Sequence, residues 1–442
     1  MSIKVAIVGS GISGLAAAHA LRGKAELTLL EAGGYFGGHT HTVDITLPTP
    51  AGALTHGVDT GFLVFNERTY PQLIALLDEL GVATTKSDMS FSVQANDFAT
   101  GRVMEWSGSS LNTVFAQRAN LTNLRFWGML RDLLRFNALT TRMAQSGTEA
   151  QLSQPLGEFL REQGFGAAFC DWYFLPMMAC IWSCPTAQML QFPVSTMVRF
   201  CHNHGLLQIT KRPQWWTVQG GARHYVKKIT AGIADKRLNT PVHRIEHLGA
   251  TPGGKNSVRI RTDAGAELFD QVIIATHSDQ ALRMLAAPTA QEHATLGAIR
   301  YQANKAVLHT DASVLPQRPS AWAAWNYERA AAPGREGTRV CLHYLLNRLQ
   351  PLPWEQPVLV SLNPLRPIAK DKIMGEYDYT HPVLNLAAVA AQGHMAALQG
   401  KHNRYFAGAW MGYGFHEDGL KAGLAAAAQL LADVGSTQEA TA

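Results

Sequence analysis

Apolar residues first gather at Ile3-Lys4-Val5-Ala6-Ile7-Val8, a short run without polar alternation that predicts a strand buried on both faces. After the turn Gly9-Ser10-Gly11-Ile12-Ser13-Gly14 the pattern becomes helical over 15–21. A second apolar run, Glu26-Leu27-Thr28-Leu29-Leu30, predicts another strand. Near the far end Arg404-Tyr405-Phe406-Ala407-Gly408-Ala409 reads as a strand that stops at glycine. Leu420, Leu424, Ala427 and Leu431 then recur at helical spacing, predicting a helix over 420–432 and a frayed tail over 435–442. Between these ends, strand-like runs occur at 89–94, 305–309, 338–344 and 358–362, and 249–256 reads as a hairpin loop.

The N-terminal pattern has the form of a strand, a glycine turn, a helix and a second strand ending in an acid. Gly9 permits a tight turn, Gly11 lets a pyrophosphate approach the backbone, and Gly14 lets helix and strand pack closely. The helix N-terminus offers free N–H groups and a positive dipole end to phosphates. Glu31, 22 residues after Gly9, is placed to accept hydrogen bonds from a ribose diol and disfavours a 2′-phosphate. A dinucleotide cofactor is therefore expected.

Composition narrows the class. The chain has 442 residues, 47% of them hydrophobic and 16% charged, which predicts a folded protein of two or three domains. The net charge of +5 comes without a run of five Lys or Arg, so no nucleic-acid partner is expected. The five cysteines form no CxxC pair and read as reduced thiols of a cytoplasmic protein. Residues 3–8 run straight into a glycine turn, which reads as no secretory leader, and the most apolar stretch, 167–185, is broken by Asp171 and Pro176. His39-Thr40-His41 and Cys201-His202-Asn203-His204 lack the spacing of a metal site, and none is expected. No GxSxG elbow or kinase set is present, which excludes those hydrolase and phosphotransfer chemistries.

Further segments complete a wider pattern. They are Glu31-Ala32-Gly33-Gly34-Tyr35-Phe36-Gly37-Gly38-His39-Thr40, Asp59-Thr60-Gly61, Trp216-Thr217-Val218-Gln219-Gly220-Gly221, Asp270-Gln271-Val272-Ile273-Ile274-Ala275-Thr276 and Gly414-Phe415-His416-Glu417-Asp418-Gly419. In this order the sequence resembles the amine-oxidase and phytoene-desaturase superfamily of flavoproteins, with His39 where that family usually has arginine. The resemblance implies FAD as cofactor. It implies cofactor contacts at Ser13, Ala32, Gly38, His39, Thr40, Thr60, Gly61, Val242, Ala275, Gly408, Glu417, Asp418, Gly419 and Leu420, beside Gly9, Gly11, Gly14 and Glu31. It also places a strand near Thr240-Pro241-Val242 and turns the helix after Gly419 toward the flavin, where its dipole stabilises a reduced flavin. His416 is the candidate acid/base residue, with packing beside the cofactor as its other reading.

The implied fold class is α/β with α+β: a discontinuous Rossmann-like FAD-binding domain (1–85, 215–285 and 400–434) and an inserted mixed-sheet and helical substrate domain (86–214 and 286–399). No second GxGxxG is present, so oxygen, a quinone or a redox protein is the expected electron acceptor rather than NAD(P)H.

Residues 118–142 hold Arg118, Arg125, Arg131, Arg135 and Arg142 among Trp127, Phe126 and several leucines. One reading is an amphipathic helix on the cytoplasmic face of an anionic membrane, with Arg125, Trp127, Arg131 and Arg135 as contacts. The other is a core-packed helix with a solvated arginine face. The apolar stretch 169–182 reads as the lining of a lipid tunnel or as ordinary core. Asp59-Thr60-Gly61-Phe62-Leu63-Val64-Phe65-Asn66-Glu67-Arg68 and Asn203-His204-Gly205-Leu206-Leu207 resemble a smaller group of predicted amine-oxidase-like flavoproteins associated with cyclopropane-fatty-acyl-synthase-like enzymes and furan fatty acid synthesis. That likeness implies desaturation of an unsaturated phospholipid acyl chain. Oxidation of a small amine, or a non-catalytic flavin-binding partner subunit, are the alternatives.

Overall fold

A computed structural model of the protein describes residues 3–97, 101–146, 153–206, 212–249, 257–329 and 340–441. Five parallel strands form the sheet that organises the site: β1 (Lys4–Val8), β2 (Glu26–Leu30), β3 (Asp235–Arg237), β4 (Gln271–Ile274) and β5 (Arg404–Phe406), in the order β3-β2-β1-β4-β5. Val5, Ala6 and Ile7 are fully buried because both faces are covered, which is why this strand carries no polar alternation. The helices Ile12–Leu21, Arg223–Ala231 and His416–Thr441 cover one face, and the antiparallel three-stranded sheet Arg244–His247, Val258–Thr262 and Gly265–Phe269 covers the other with nearby helices. The strand order reverses between β1 and β4, so a crevice opens at the carboxyl ends of these two strands, where doubly wound sheets bind ligands. The helices that matter to the site are α1 (Ile12–Leu21), α2 (Pro71–Glu79), α3 (Leu124–Ser146), α4 (Arg223–Ala231) and α5 (His416–Thr441).

α1 and α5 cross in close contact, and glycine makes this possible. A Cβ on Gly423 would overlap the Ser13 carbonyl oxygen, and one on Gly419 would come within 2.7 Å of Ile12 Cγ2. The bare flank that Gly419 and Gly423 provide thus faces α1.

A mixed seven-stranded sheet forms the second body. It runs from Ile373–Val383 through Arg300–His309, Leu359–Leu362, Cys341–Leu345, Trp325–Glu328 and Phe91–Asp97 to Arg102–Ser107. All neighbours are antiparallel except Trp325–Glu328 and Phe91–Asp97, which pair in parallel. A helical layer packs on it around an aromatic core that includes Phe126, Phe136, Phe159, Phe169 and Phe174.

Several expectations need correction. The strand after α4 is Asp235–Arg237, and Thr240-Pro241-Val242 is extended loop. α5 begins at His416, four residues before the expected Leu420, because Glu417 and Asp418 complement its dipole in the first turn. Asp418 also accepts a hydrogen bond from the Phe415 N–H at 3.0 Å. The same helix continues to Thr441, so 435–441 is helix and not a tail. The stretch 169–182 is core: Phe169, Trp172, Phe174 and Met178 are buried in it, and only Ile181 and Trp182 reach the cavity described below. The expected loop 249–256 lies, beyond Gly249, outside the described residues, as does the start of the run 338–344.

Candidate active site

β1 ends at Val8, and the chain turns at Gly9 with φ +98°, a left-handed conformation that favours glycine. A Cβ here would meet the Ala275 carbonyl oxygen, at the end of β4, at 2.6 Å. Gly11 precedes α1 without a side-chain cap, so the first-turn N–H groups of α1 have no such partner. Gly14 does not line the cavity. A Cβ on it would overlap the Gly9 carbonyl oxygen, so its role is to bring helix and turn together.

A cavity of about 730 Å³ extends from this loop to the seven-stranded sheet. Gly9, Ser10, Gly11, Ser13, Glu31, Ala32, Gly38, His39, Thr40, Thr60, Gly61, Val242, Ala275, Gly408 and His416 all line it. A Cβ on Gly11 would meet nothing within 4 Å, so the wall has open space where a dinucleotide pyrophosphate needs it. The 33–38 loop folds back over the turn, with Gly37 N–H donating to the Ser10 carbonyl at 3.1 Å.

Glu31 accepts from Ser10 N–H at 2.9 Å and the Ser10 hydroxyl at 2.5 Å on one oxygen, and from Gly33 N–H at 2.8 Å on the other. Its carboxylate therefore fixes the loop and also faces the cavity at the nucleotide end. A ribose hydroxyl bonded to it would contribute on the order of 1.5–3 kcal/mol. Glu31→Ala should weaken FAD retention by at least about tenfold, read as flavin content after dialysis.

Glu417, Asp418, Gly419 and Leu420 are not on the cavity wall. The Glu417 carboxylate accepts from Gln72 and Leu73 N–H groups, both at 3.0 Å, and so caps α2. Asp59 has a related task. It accepts from Ala222 N–H at 3.0 Å and Gln350 Nε2 at 2.6 Å, and from the Thr42 hydroxyl, tying its strand to the start of α4. Burial raises its pKa to about 6 against these hydrogen bonds.

His39, at the position where the resembled family usually has arginine, lines the cavity. Burial, helped by the nearby His381, His277 and His416, holds its pKa well below the usual histidine value, so it is neutral. Its ring lies 5.0 Å from that of Tyr379 and 5.3 Å from that of His381. Its Nε2 is buried without a hydrogen-bond partner in the protein, a polar atom left for a cofactor to satisfy.

His416 stacks on Phe62 at 3.8 Å, and its Nε2 lies 2.8 Å from the Tyr225 hydroxyl, which in turn lies 2.5 Å from the Thr40 hydroxyl. Burial drives its pKa down to about 3. Such an imidazole holds a proton weakly and is neutral, packed on Phe62 and beside the Tyr225 hydroxyl.

The membrane-contact candidates lie outside the cavity. Arg125 sits over the Trp172 ring at 4.7 Å. Arg135 sits over Phe165 at 4.2 Å and donates to the Gly164 carbonyl at 3.1 Å. Both guanidinium groups are thus engaged with the protein; the Arg131 side chain is 80% exposed and lies 3.6 Å from Asp132 Oδ1. Trp127 is half-exposed on the outer face of α3.

Sequence reasoning missed His277, Tyr379 and His381, which face the cavity, and Trp325 and Tyr344 at its far end. The alternation Tyr377-Asp378-Tyr379-Thr380-His381 was the available signal for the first group: period two puts Tyr379 and His381 on one face of Ile373–Val383.

A doubly wound sheet, a glycine turn with space for a pyrophosphate and an acid at the ribose position define an FAD-dependent oxidoreductase. Residues 12–347 match the family described as flavin-containing amine oxidoreductases, and the chain belongs to that family. Its cofactor is FAD. No curated protein matches the chain.

Among solved structures, a CLA-producing fatty acid isomerase from P. acnes is similar at 16% identity and a TM-score of 0.65, over 96% of this chain and 97% of that one. Wild-type putrescine oxidase bound to putrescine is similar at 17% identity and 0.64, over 98% and 99%. Cyclohexylamine oxidase from Brevibacterium oxydans is similar at 17% and 0.65, over 98% and 100%. At these identities the likeness establishes the fold.

Proposed function

We propose that this FAD enzyme dehydrogenates an unsaturated phospholipid fatty-acyl chain that it takes from the cytoplasmic face of a membrane. One observation carries the reading. Among the described residues lining the cavity the only carboxylate is Glu31, at the nucleotide end. The part bounded by Met89, Ile181, Phe200, Leu206, Trp325 and Leu362 is apolar and aromatic. A small amine enters as a cation and needs a partner for its charge once buried, whereas an acyl chain needs none. The fold itself hosts both chemistries, as the fatty acid isomerase and the two amine oxidases indicate, and the apolar lining supports the acyl reading.

FAD, held by Gly9, Gly11, Glu31 and His39, would supply the two-electron acceptor for an activated allylic C–H, with oxygen, a quinone or a redox protein as the final acceptor. The second hydrogen would leave the adjacent carbon as a proton to a base, for which the neutral imidazole of His381 on the cavity wall is available, giving a conjugated diene. Phe62 and His416 hold one wall in place, while Ile181, Trp182 and Phe200 exclude water and align the chain.

The amine reading has its own support in Trp325 and Tyr344, whose rings meet at 5.1 Å and offer aromatic faces to a cation. Anaerobic mixing separates the two. Liposomes bearing a monounsaturated phospholipid should bleach the flavin, and putrescine or cyclohexylamine should not. Bleaching by an amine with none by lipid moves the protein to the amine reading. Bleaching by neither, with FAD bound, favours a non-catalytic subunit.

A further inference from the structure

The seven-stranded sheet has a second face that the oxidation chemistry does not use. Trp325, Tyr344 and Leu362 point to the cavity, so their neighbours along the strands point the other way. The register pairs Glu328 with Cys341 and Asn326 with His343, and pairs His343 with Ser361 on the next strand. Cys341 and His343 are buried, and the Glu328 side chain is 13% exposed.

Three donor atoms of different chemistry converge here. His343 Nε2 lies 3.0 Å from Glu328 Oε2 and 3.5 Å from Cys341 Sγ, and that sulfur lies 3.9 Å from the same carboxylate oxygen. Zinc–ligand lengths of about 2.0–2.3 Å with tetrahedral angles require donors roughly 3.3–3.6 Å apart. Shifts of a few tenths of an ångström would bring all three onto one ion.

We propose that Glu328, Cys341 and His343 form a zinc site with water as the fourth ligand, on the face of the sheet opposite the flavin cavity. The donor set, thiolate, imidazole and carboxylate, suits zinc over magnesium or calcium, which take oxygen ligands.

The surroundings fit this assignment. Arg366 Nε donates to Glu328 Oε1 at 2.8 Å, which leaves Oε2 for the metal. His343 Nδ1 lies 2.6 Å from Ser361 Oγ, so with zinc on Nε2 the Nδ1–H donates to that hydroxyl and fixes the ring. Ser361 Oγ is in turn 2.7 Å from His309 Nε2. Binding releases the Cys341 proton to solvent and leaves no redox change to balance. Two strands of one ladder hold all three ligands. No CxxC or HxxxH spacing marks the site, because strand pairing across 328 and 341 assembles it.

The site does not depend on the substrate reading. The test uses the FAD-loaded full chain, titrated with zinc against a chromophoric chelator and, separately, with cobalt. The expected result is one zinc per chain with Kd below about 1 µM, and cobalt absorption of a tetrahedral thiolate site on the long-wavelength side of the flavin bands. Ser361→Ala should weaken zinc roughly tenfold to hundredfold, and Cys341→Ser by more, with FAD content unchanged. A folded wild-type protein that binds zinc more weakly than about 10 µM overturns the proposal, as does affinity that survives both Cys341→Ser and His343→Ala. If the variants fail to fold, the wild-type titration and the cobalt spectrum decide.

Discussion

Gly11→Val should give a folded protein without its yellow colour. The Gly11 backbone sits at φ −62° and ψ 177°, a region any residue adopts, and a Cβ there meets nothing within 4 Å. The protein alone therefore tolerates the side chain. The cofactor does not, because the added methyl groups fill the space through which a pyrophosphate reaches the first-turn N–H groups of α1. Loss of two charge-assisted hydrogen bonds at about 1.5–3 kcal/mol each lowers FAD affinity at least about a hundredfold. Thermal unfolding without FAD should stay within a few degrees of the wild type.

Gly14→Ala makes the contrast. Its Cβ would overlap the Gly9 carbonyl oxygen and come within 3.3 Å of the Ala275 Cβ, so the helix must shift from the sheet at a cost of about 1–3 kcal/mol. That variant should lose thermal stability before any question of FAD arises. Measuring heat-released FAD and unfolding together distinguishes the two roles. If Gly11→Val keeps its FAD, the phosphates lie elsewhere.

These glycines also mark how far local pattern reaches. β1, β2, β4 and β5 are apolar runs and could be read directly, as could the turn and Glu31 between β2 and β3. β3 escaped because its three residues, Asp235-Lys236-Arg237, are all charged and sit at the sheet edge. The hairpin Thr42–Thr49 with Gly52–Asp59 escaped because threonine and histidine alternate with apolar residues too irregularly to show one face.

The site divides the same way. Its nucleotide end is local in sequence, whereas the far wall joins Ile181, Trp325, Tyr344 and Leu362, which only tertiary packing brings together. Glu417 shows the converse. A motif pointed to a cofactor contact, but both its oxygens are bonded to α2, and no pattern near residue 417 names Gln72 or Leu73.

Purified protein should bind anionic liposomes at low salt, and Leu124→Ser with Trp127→Ser should abolish that binding. No helix among the described residues is long and apolar enough to cross a membrane. On α3, Phe126, Met129 and Phe136 turn inward and are buried, whereas Leu124, Trp127, Arg131 and Leu134 follow each other at helical spacing on the outer face. Leu124 is 87% exposed, and Leu121 beside Trp127 is half-exposed, accepting its Nε1–H at 2.9 Å. Such a stripe suits an interfacial helix, which sets leucine and tryptophan at the acyl boundary and arginine at the head groups.

Burying each of the two side chains contributes roughly 1.5–3 kcal/mol, so removing both should weaken binding at least about a hundredfold. Arg131→Glu should lower affinity less, by on the order of 1 kcal/mol, in a manner that salt screens. Arg125 and Arg135 are poorer targets, because they lie over Trp172 and Phe165 and their replacement would disturb packing. Cosedimentation with vesicles at two salt concentrations, with FAD content as the folding control, decides the matter. Full binding by the Leu124 and Trp127 double variant would mean that another surface meets the lipid.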